Sequence, residues 1–288
     1  MKNRTPSVPV SKKDQIDKLI VSARNLISTD IKKSFRLAND GLQMSQEIFY
    51  KKGEADALRT IGINYDAQNK LGKALEMYKK AMPFYIALGD KQGEAMLYNN
   101  FGIIDFKHAK YISAMKYYFQ SLKTKEELGD LRGVSSSYTN IGSVYQRQNN
   151  HKTATKFYKK ALLISKQIQD VFLTAALYQN IGSSLINQRK FKEALIILEE
   201  AVVFLSSKKQ TNALAYVYNN IGSVLKSQKK YREAITAFEK CASISKKENI
   251  QMELANAYTN IAEVFIKLND LPAAEKFLSI VFDMQKKN

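Results

Sequence analysis

The stretch Tyr138-Thr139-Asn140-Ile141-Gly142-Ser143-Val144-Tyr145 decides the fold, because its core, Asn-Ile-Gly, returns at steps of forty residues in both directions. The other copies are Thr60-Ile61-Gly62, Asn100-Phe101-Gly102, Asn180-Ile181-Gly182, Asn220-Ile221-Gly222 and Asn260-Ile261-Ala262. No insertion or deletion interrupts the register. A fixed period of about 20 to 50 residues indicates a repeat protein, in which each unit stacks on its neighbours.

Each copy of the repeat also carries a second motif, Ala154-x3-Tyr158-x2-Ala161, at the same forty-residue step. Spacings of three and four place its residues on one face of an α-helix. Between the two motifs lies a polar break, Gln148-Asn149-Asn150, which is long enough only for a tight turn. Each unit is therefore predicted to be two antiparallel helices, A and then B. The glycine and the alanines mark points where the paired helices approach closely.

The two motifs together resemble the tetratricopeptide repeat, whose consensus period is 34 residues. The longer period resembles the repeats of Pins-type polarity adaptors, and it is similar to the tetratricopeptide regions of bacterial sensor kinases and peptide-responsive regulators. The resemblance implies an all-α, right-handed superhelical solenoid of antiparallel helix pairs. We expect the six extra residues to lengthen helix B and the loop that follows it.

The repeat divides the chain into a tail, a degenerate unit and a regular array. We expect residues 1–12 to be a disordered tail and residues 13–50 to be a degenerate N-terminal helical hairpin, in which only Val21, Ser34 and Gly41 match the pattern. Six units of forty residues are expected to fill residues 51–288. Their bounds are 51–90, 91–130, 131–170, 171–210, 211–250 and 251–288.

The resemblance places a binding groove along the A helices, where family members hold extended peptides or partner segments. Carried over residue by residue, it assigns candidate groove residues to each A helix: Asn99, Asn100 and Lys107; Asn140, Ser143 and Arg147; Asn180 and Ser183; Asn219 and Asn220; and Asn260. A side-chain amide has both donors and acceptors, so one amide per unit matches the backbone of an extended chain. The same asparagines are also compatible with a structural role, in which they bond a neighbouring helix and hold the pitch of the array.

The charge pattern separates two classes of partner. A net charge of +18 favours acidic partners, among them an acidic peptide, nucleic acid or another polyanion. The A helices of the middle units contain no charged residue over Val134–Gln146, Leu173–Asn187 and Thr211–Leu225. Pairs such as Lys79-Lys80, Lys159-Lys160 and Lys229-Lys230 are predicted to lie on helix B as a solvated face. Since nucleic-acid binding needs cations along the contact surface, the neutral groove favours a peptide or protein partner.

No catalytic motif accompanies the repeats. There is no phosphate-binding glycine loop, no HExxH and no CxxC, and the repeat geometry gives His108 and His151 no partner. Cys241 occupies a small packing position, which indicates a core residue, and a single cysteine fits a reducing compartment. We expect no enzyme activity, no metal and no cofactor.

The last expectations concern location and the end of the array. No run of about eighteen apolar residues is present to span a bilayer, and the polar N-terminus lacks a secretory signal, so we expect a cytoplasmic protein. The Lys, Asn and Ile bias suggests a bacterial source. The last helix carries Phe277, Leu278, Val281 and Phe282, which favours self-association or a downstream domain at this end. The sequence thus predicts a peptide- or protein-binding scaffold in bacterial signal transduction, with a basic solenoid that binds nucleic acid as the alternative.

Overall fold

The computed structural model describes residues 12–286, and in that part of the chain every regular element is an α-helix. The helices are α1 (Lys12–Asn25), α2 (Ile31–Glu47), α3 (Lys51–Ala67), α4 (Leu71–Ala87), α5 (Lys91–Lys107), α6 (Tyr111–Glu127), α7 (Leu131–Arg147), α8 (His151–Gln167), α9 (Val171–Asn187), α10 (Phe191–Ser207), α11 (Thr211–Ser227), α12 (Tyr231–Lys247), α13 (Gln251–Lys267) and α14 (Leu271–Lys286). The prediction of an all-α array of helix pairs is confirmed. The odd-numbered helices are the A helices and the even-numbered helices are the B helices.

From α2 onward, one three-residue connection is repeated between all successive helices. Its middle residue is always left-handed, with φ between 54° and 67°, whether it is Gly89, Asn149 or Lys229. Its third residue donates its backbone N–H to the carbonyl five positions earlier, as in a Schellman motif; Asn150 does so to Tyr145 at 2.9 Å. That third residue directly precedes the next helix, and Asp90 and Asp170 use their carboxylates as N-caps there.

The residues form two compact units, 1–133 and 134–288. In the first unit, of which residues 12–133 are described, the hairpins α1–α2, α3–α4 and α5–α6 stack in order, with α2 against α3 and α4 against α5. Tyr78 and Tyr85 of α4 and Leu97 of α5 lie in its core. Burying such aromatic side chains contributes a large share of the stabilising free energy of the unit.

The second unit, described as far as Lys286, repeats this arrangement. Helix α8 packs on α9, α10 on α11 and α12 on α13, and successive A helices α9, α11 and α13 also contact one another. The side chains of Tyr158, Tyr178, Leu198 and Phe238 are fully buried in this unit. Gly142 lies so close to Tyr158 that an added Cβ would stand 2.6 Å from its ring, which explains why helix A carries glycine there.

Three local expectations were wrong. Helices A and B of the regular units have equal length and equal connections, so the extra residues are not concentrated in helix B. Lys229 and Lys230 lie in the connection before α12, where Lys229 is left-handed, and not on helix B. In α1 the register is displaced by one residue, because Ile20 is buried while Val21 is exposed. Of the predicted tail, residues 1–11 lie outside the described residues, and Lys12 begins α1.

Candidate functional site

The A helices of the second unit share a face of accessible polar residues, here named the polar stripe. Helical spacing aligns it at steps of three and four along each helix. It comprises Ser136, Thr139, Asn140, Ser143 and Arg147 of α7; Gln179, Asn180, Ser183 and Asn187 of α9; Tyr216, Asn219, Asn220, Ser223 and Ser227 of α11; and Asn256, Thr259, Asn260, Glu263 and Lys267 of α13. Every one of these residues is half-buried or exposed.

The opposite face of each A helix fixes the orientation of the stripe. In α7 the side chains of Ile141 and Val144 are fully buried, and Gly142 faces Tyr158 of α8. In α9, Leu177, Tyr178 and Ile181 are buried in the same way. Because one face of each helix is committed to the core, its polar residues are turned outward in register with those of the next A helix.

Side-chain bonds between α11 and α13 show that neighbouring A helices present their stripe residues to one another. The Asn260 amide donates to Asn219 Oδ1 at 3.0 Å, and Lys226 Nζ donates to Asn260 Oδ1 at 2.8 Å. Lys226 also pairs with Glu263 at 2.7 Å. At these two asparagines the amides therefore join adjacent hairpins, and each still has further hydrogen-bonding capacity.

The other asparagines of the series differ in their surroundings. Asn140, Asn180 and Asn220 are half-buried on the stripe, and the structure records no side-chain hydrogen bond for Asn180 or Asn220 among the described residues. In the first unit, Asn99 is half-buried and Asn100 is only 8% exposed, with its Nδ2 buried and unpaired within the described chain. The two accessible amides without a recorded side-chain bond in the described part of the chain, Asn180 and Asn220, lie on α9 and α11.

The serines of the stripe are bonded mainly within their own helix. Ser143 Oγ donates to the Thr139 carbonyl at 3.0 Å, and Ser223 Oγ donates to the Asn219 carbonyl at 2.9 Å. Ser143 also accepts a hydrogen bond of 3.2 Å from Tyr158 of helix B. Ser183 is half-buried, one turn after Gln179. These hydroxyls make the stripe polar without adding charge.

The two cations predicted for the groove lie in the last turns of their helices. Lys107 Nζ bonds Asp66 Oδ1 at 2.6 Å, which joins α5 to α3 in the first unit. Arg147 is exposed at the end of α7. Lys107 therefore joins two A helices, and its carboxylate partner, forty-one positions earlier, was not predicted from the sequence.

The sequence did not reveal a buried charged network at the start of the first unit. Arg59 of α3 is 5% exposed, and its Nε has no partner in the described chain. Burial, and then the nearby Arg59, lower the pKa of Arg24 in α1. Asp56 accepts a hydrogen bond of 2.6 Å from Tyr85. Since α1 departs from the repeat, no sequence register placed Arg24 next to Arg59.

The exposed lysines lie mainly away from the polar stripe. Lys79, Lys80, Lys159 and Lys160 are exposed on B helices, and Lys160 covers the ring of Tyr138 with its ammonium 5.3 Å from the ring centre. No helix within residues 12–286 is long and apolar enough to cross a membrane. Over the same range, no group of three or more His, Cys, Asp or Glu side chains is arranged to hold a metal ion.

Comparison with protein families gives one match. The family model described as soluble NSF attachment protein, SNAP, matches residues 133–288, which is more than half of the chain. No curated protein matches the sequence.

Several solved structures are similar to this chain over most of its length. The apo form of RapI has a TM-score of 0.70 at 12% identity, covering 95% of this chain and 98% of that one. A Rap protein complexed with competence and sporulation factor has a TM-score of 0.65 at 17% identity, covering 95% and 77%. NprR in complex with its cognate peptide NprX has a TM-score of 0.61 at 20% identity, covering 96% and 80%. At these identities the similarity shows the fold alone.

Proposed function

Because the chain belongs to the soluble NSF attachment protein (SNAP) family of tetratricopeptide-like helical-repeat proteins, we propose that it is a non-enzymatic scaffold that binds an extended peptide along the polar stripe. The observation that carries this proposal is the row of accessible amides on α7, α9 and α11, two of which, Asn180 and Asn220, make no recorded side-chain bond within the described residues. Amides that are half-buried and accessible gain from a ligand that offers backbone N–H and C=O groups.

The spacing of the helices suits an extended chain. Packed helices lie about 8–10 Å apart, and an extended peptide advances about 3.3 Å per residue. One stripe amide therefore serves about every third peptide residue. Contacts to the backbone give affinity with little demand on sequence, and specificity would come from stripe side chains such as Tyr216 and Arg147.

Similar proteins support the proposal by analogy of fold. Two of these structures are complexes, one of NprR with its cognate peptide NprX and one of a Rap protein with competence and sporulation factor. We propose that this chain likewise works in bacterial signal transduction and in the cytoplasm, where the thiol of Cys241, fully buried and unpaired, would remain reduced. The net charge of +18 favours an acidic peptide through long-range attraction.

A second contact surface is proposed on α14. Leu278 occupies the position that Phe238 holds in α12, yet Leu278 is 44% exposed while Phe238 is fully buried. Leu271 and Phe282 are also exposed on this helix. We propose that α14 takes part in self-association or in contact with another domain, as exposed apolar patches commonly do.

The proposed function is tested by selecting peptides from a randomised display library on the full chain and measuring their affinity at low and high salt. Asn140→Ala/Asn180→Ala should weaken binding about tenfold or more, since each backbone bond contributes about 0.5–1.5 kcal/mol. The matched control Asn39→Ala/Gln120→Ala removes two exposed amides from B helices and should leave affinity unchanged.

The alternative, binding of nucleic acid, predicts a different result in the same assay. A basic surface would bind single-stranded DNA or RNA with an affinity that falls steeply as salt rises, and the stripe variant would bind them as the wild type does. Tight nucleic-acid binding of this kind, with no selected peptide sensitive to the stripe variant, would refute the peptide-binding proposal.

A further inference from the structure

A cleft in the first unit lies between α2, α3 and the start of α4. Its wall is formed by Ile31 and Phe35 of α2 and by Tyr65 of α3, and the rings of Phe35 and Tyr65 meet edge to face at 5.1 Å. Lys32, Lys70 and Lys73 complete its lining, around a cavity of about 540 Å³. We refer to it as the aromatic-lysine cleft. Cavities of about 300–1,000 Å³ accommodate small organic ligands.

The three lysines give the cleft an uncompensated positive charge. Lys70 Nζ donates to the amide oxygen of Gln68 at 2.7 Å, and Lys73 Nζ lies 5.7 Å from the centre of the Tyr65 ring. No carboxylate lines the cleft. All three lysines are exposed, so their ammonium groups are free to reorient toward a ligand at its rim.

The carboxylates nearest to the cleft in sequence are engaged elsewhere. Asp30 accepts the backbone N–H of Lys33 at 2.9 Å as the N-cap of α2. Asp66 pairs with Lys107 at 2.6 Å, and Glu76 pairs with Lys80 at 2.7 Å. Lys80, and more weakly Lys73, lower the pKa of Glu76, so Lys32 and part of the charge of Lys73 are left for an external anion.

The equivalent cleft of a later hairpin is also basic, but its lining includes a carboxylate. That cleft is lined by Arg189, Lys190, Phe191, Lys192, Glu193 and Gln228. There Glu193 pairs with Lys190 at 2.8 Å and compensates part of the charge. Only one aromatic ring lines that cleft, whereas two line the first.

From these observations we infer that the aromatic-lysine cleft binds a small molecule that joins a planar aromatic ring to an anionic group. The ring would pack on Phe35 and Tyr65, where aromatic contacts are favoured in edge-to-face or offset geometry. The anionic group, a phosphate or a carboxylate, would be held by Lys32 and Lys73, which are charged donors. This binding is separate from the peptide-binding stripe proposed for residues 134–288.

The experiment titrates the full chain with 2-naphthyl phosphate, 2-naphthoate and inorganic phosphate, followed by equilibrium dialysis. The two naphthyl anions should bind one equivalent, and the better of them identifies the anionic group. Inorganic phosphate should bind at least about tenfold more weakly, because it lacks the ring that the wall contacts. Equal affinity for inorganic phosphate, or no binding of either naphthyl anion, would overturn the inference.

Variants locate the binding. Lys32→Ser/Lys73→Ser should weaken naphthyl phosphate binding at least about tenfold, since two charged contacts are lost. Lys152→Ser/Lys156→Ser removes the same charge from exposed positions of α8 and should bind as the wild type does. An equal loss of affinity in both variants would show that binding depends on net charge alone, and would contradict the placement of the site in the aromatic-lysine cleft. Asn140→Ala/Asn180→Ala should leave naphthyl phosphate binding intact, so this inference and the peptide proposal fail independently.

Discussion

At the scale of single residues, the middle position of several connections holds a residue that is unfavourable in the left-handed conformation that its backbone adopts. Left-handed conformation costs an L-residue about 1–2 kcal/mol, and glycine escapes this cost. The chain has glycine there only at Gly89 and Gly129, while Ala109 and Gln169 adopt the same conformation with φ of 57° and 55°. The left-handed conformation in these connections is therefore maintained by the helices on either side.

Ala109→Gly should raise the free energy of unfolding by about 0.5–1 kcal/mol, because it relieves this strain at the cost of some chain entropy. Gly89→Ala should lower it by about 1 kcal/mol through conformation alone, since no atom lies within 4 Å of the added Cβ. Urea denaturation measures both. A destabilised Ala109→Gly would show that the connection is not strained.

Lys125 is a buried cation in a position that other B helices fill with neutral residues. Tyr85, Ser165, Leu205 and Ser245 hold the equivalent positions and are fully buried. Lys125 itself is 6% exposed, and burial lowers its pKa to about 8, against the opposing attraction of Asp130. In the unfolded chain its pKa returns to about 10.4.

Between pH 8 and pH 10 the unfolded chain therefore binds more protons at Lys125 than the folded chain does, and stability rises with pH in this window. Lys125→Leu should be more stable than the wild type by about 1–3 kcal/mol at pH 7, and this advantage should shrink toward pH 10. Urea unfolding at a series of pH values measures the difference, with Lys123→Leu, a change at an exposed site, as the control. A constant difference across the window would contradict the assignment.

At the scale of the helix pair, the approach of A to B depends on the glycine of the repeat. An added Cβ at Gly142 would stand 2.6 Å from the ring of Tyr158, and at Gly222 it would stand 2.5 Å from Phe238. The last hairpin has Ala262 instead, opposite the smaller Leu278. The approach is also close where a leucine faces the glycine, since an added Cβ at Gly182 would stand 2.7 Å from Leu198.

Gly142→Ala should destabilise the chain by about 1–3 kcal/mol, because overpacking displaces Tyr158. Adding Tyr158→Leu should recover part of the loss. Gly72→Ala is the matched control: nothing lies within 4 Å of its added Cβ, so helix propensity alone should raise stability by about 0.5–1 kcal/mol. Thermal unfolding followed by circular dichroism separates these outcomes, and an unaffected Gly142→Ala would be inconsistent with close approach at this point.

Most of the array could be predicted from the sequence because each repeat contains the same local pattern of residues. Residues such as Ile141, Gly142 and Ala154 recur at helical spacing, and their burial follows directly from it. The same reasoning failed for α1, where Ile20 takes the core position expected of Val21, since a five-residue connection replaces the usual three. Because this degenerate unit occurs only once, no second copy in the sequence shows which of its residues face the core.

The candidate site was predictable only in outline. The helical period places Asn140 and Asn180 on the accessible face, as the structure does. Their partners depend on the distance between helices, which sequence spacing does not encode. Hence the bond between Asn219 and Asn260, the pair of Asp66 with Lys107 and the cleft around Tyr65 became visible only in the structure.

At the scale of the whole molecule, the exposed face of α14 has a consequence for assembly. Leu271 and Phe282 are 60% and 57% exposed, and Lys286 covers only one side of the Phe282 ring, 4.4 Å from its centre. If the helix mediates self-association, the wild type should sediment as an oligomer at high concentration and Phe282→Lys as a monomer, because a buried charge without a partner is strongly disfavoured. Identical sedimentation of the two proteins would exclude self-association through Phe282, and contact with another domain would be the alternative that stays.

The position of a bound peptide shows whether the polar stripe is the peptide-binding surface. A photo-crosslinking residue placed at Ser183, on the polar stripe, is compared with the same residue at Leu163, which is 73% exposed on α8. If a peptide from the display selection binds on the polar stripe, it should crosslink from position 183 and not from position 163. A crosslink from position 163 alone would place the peptide on the B helices and contradict the account.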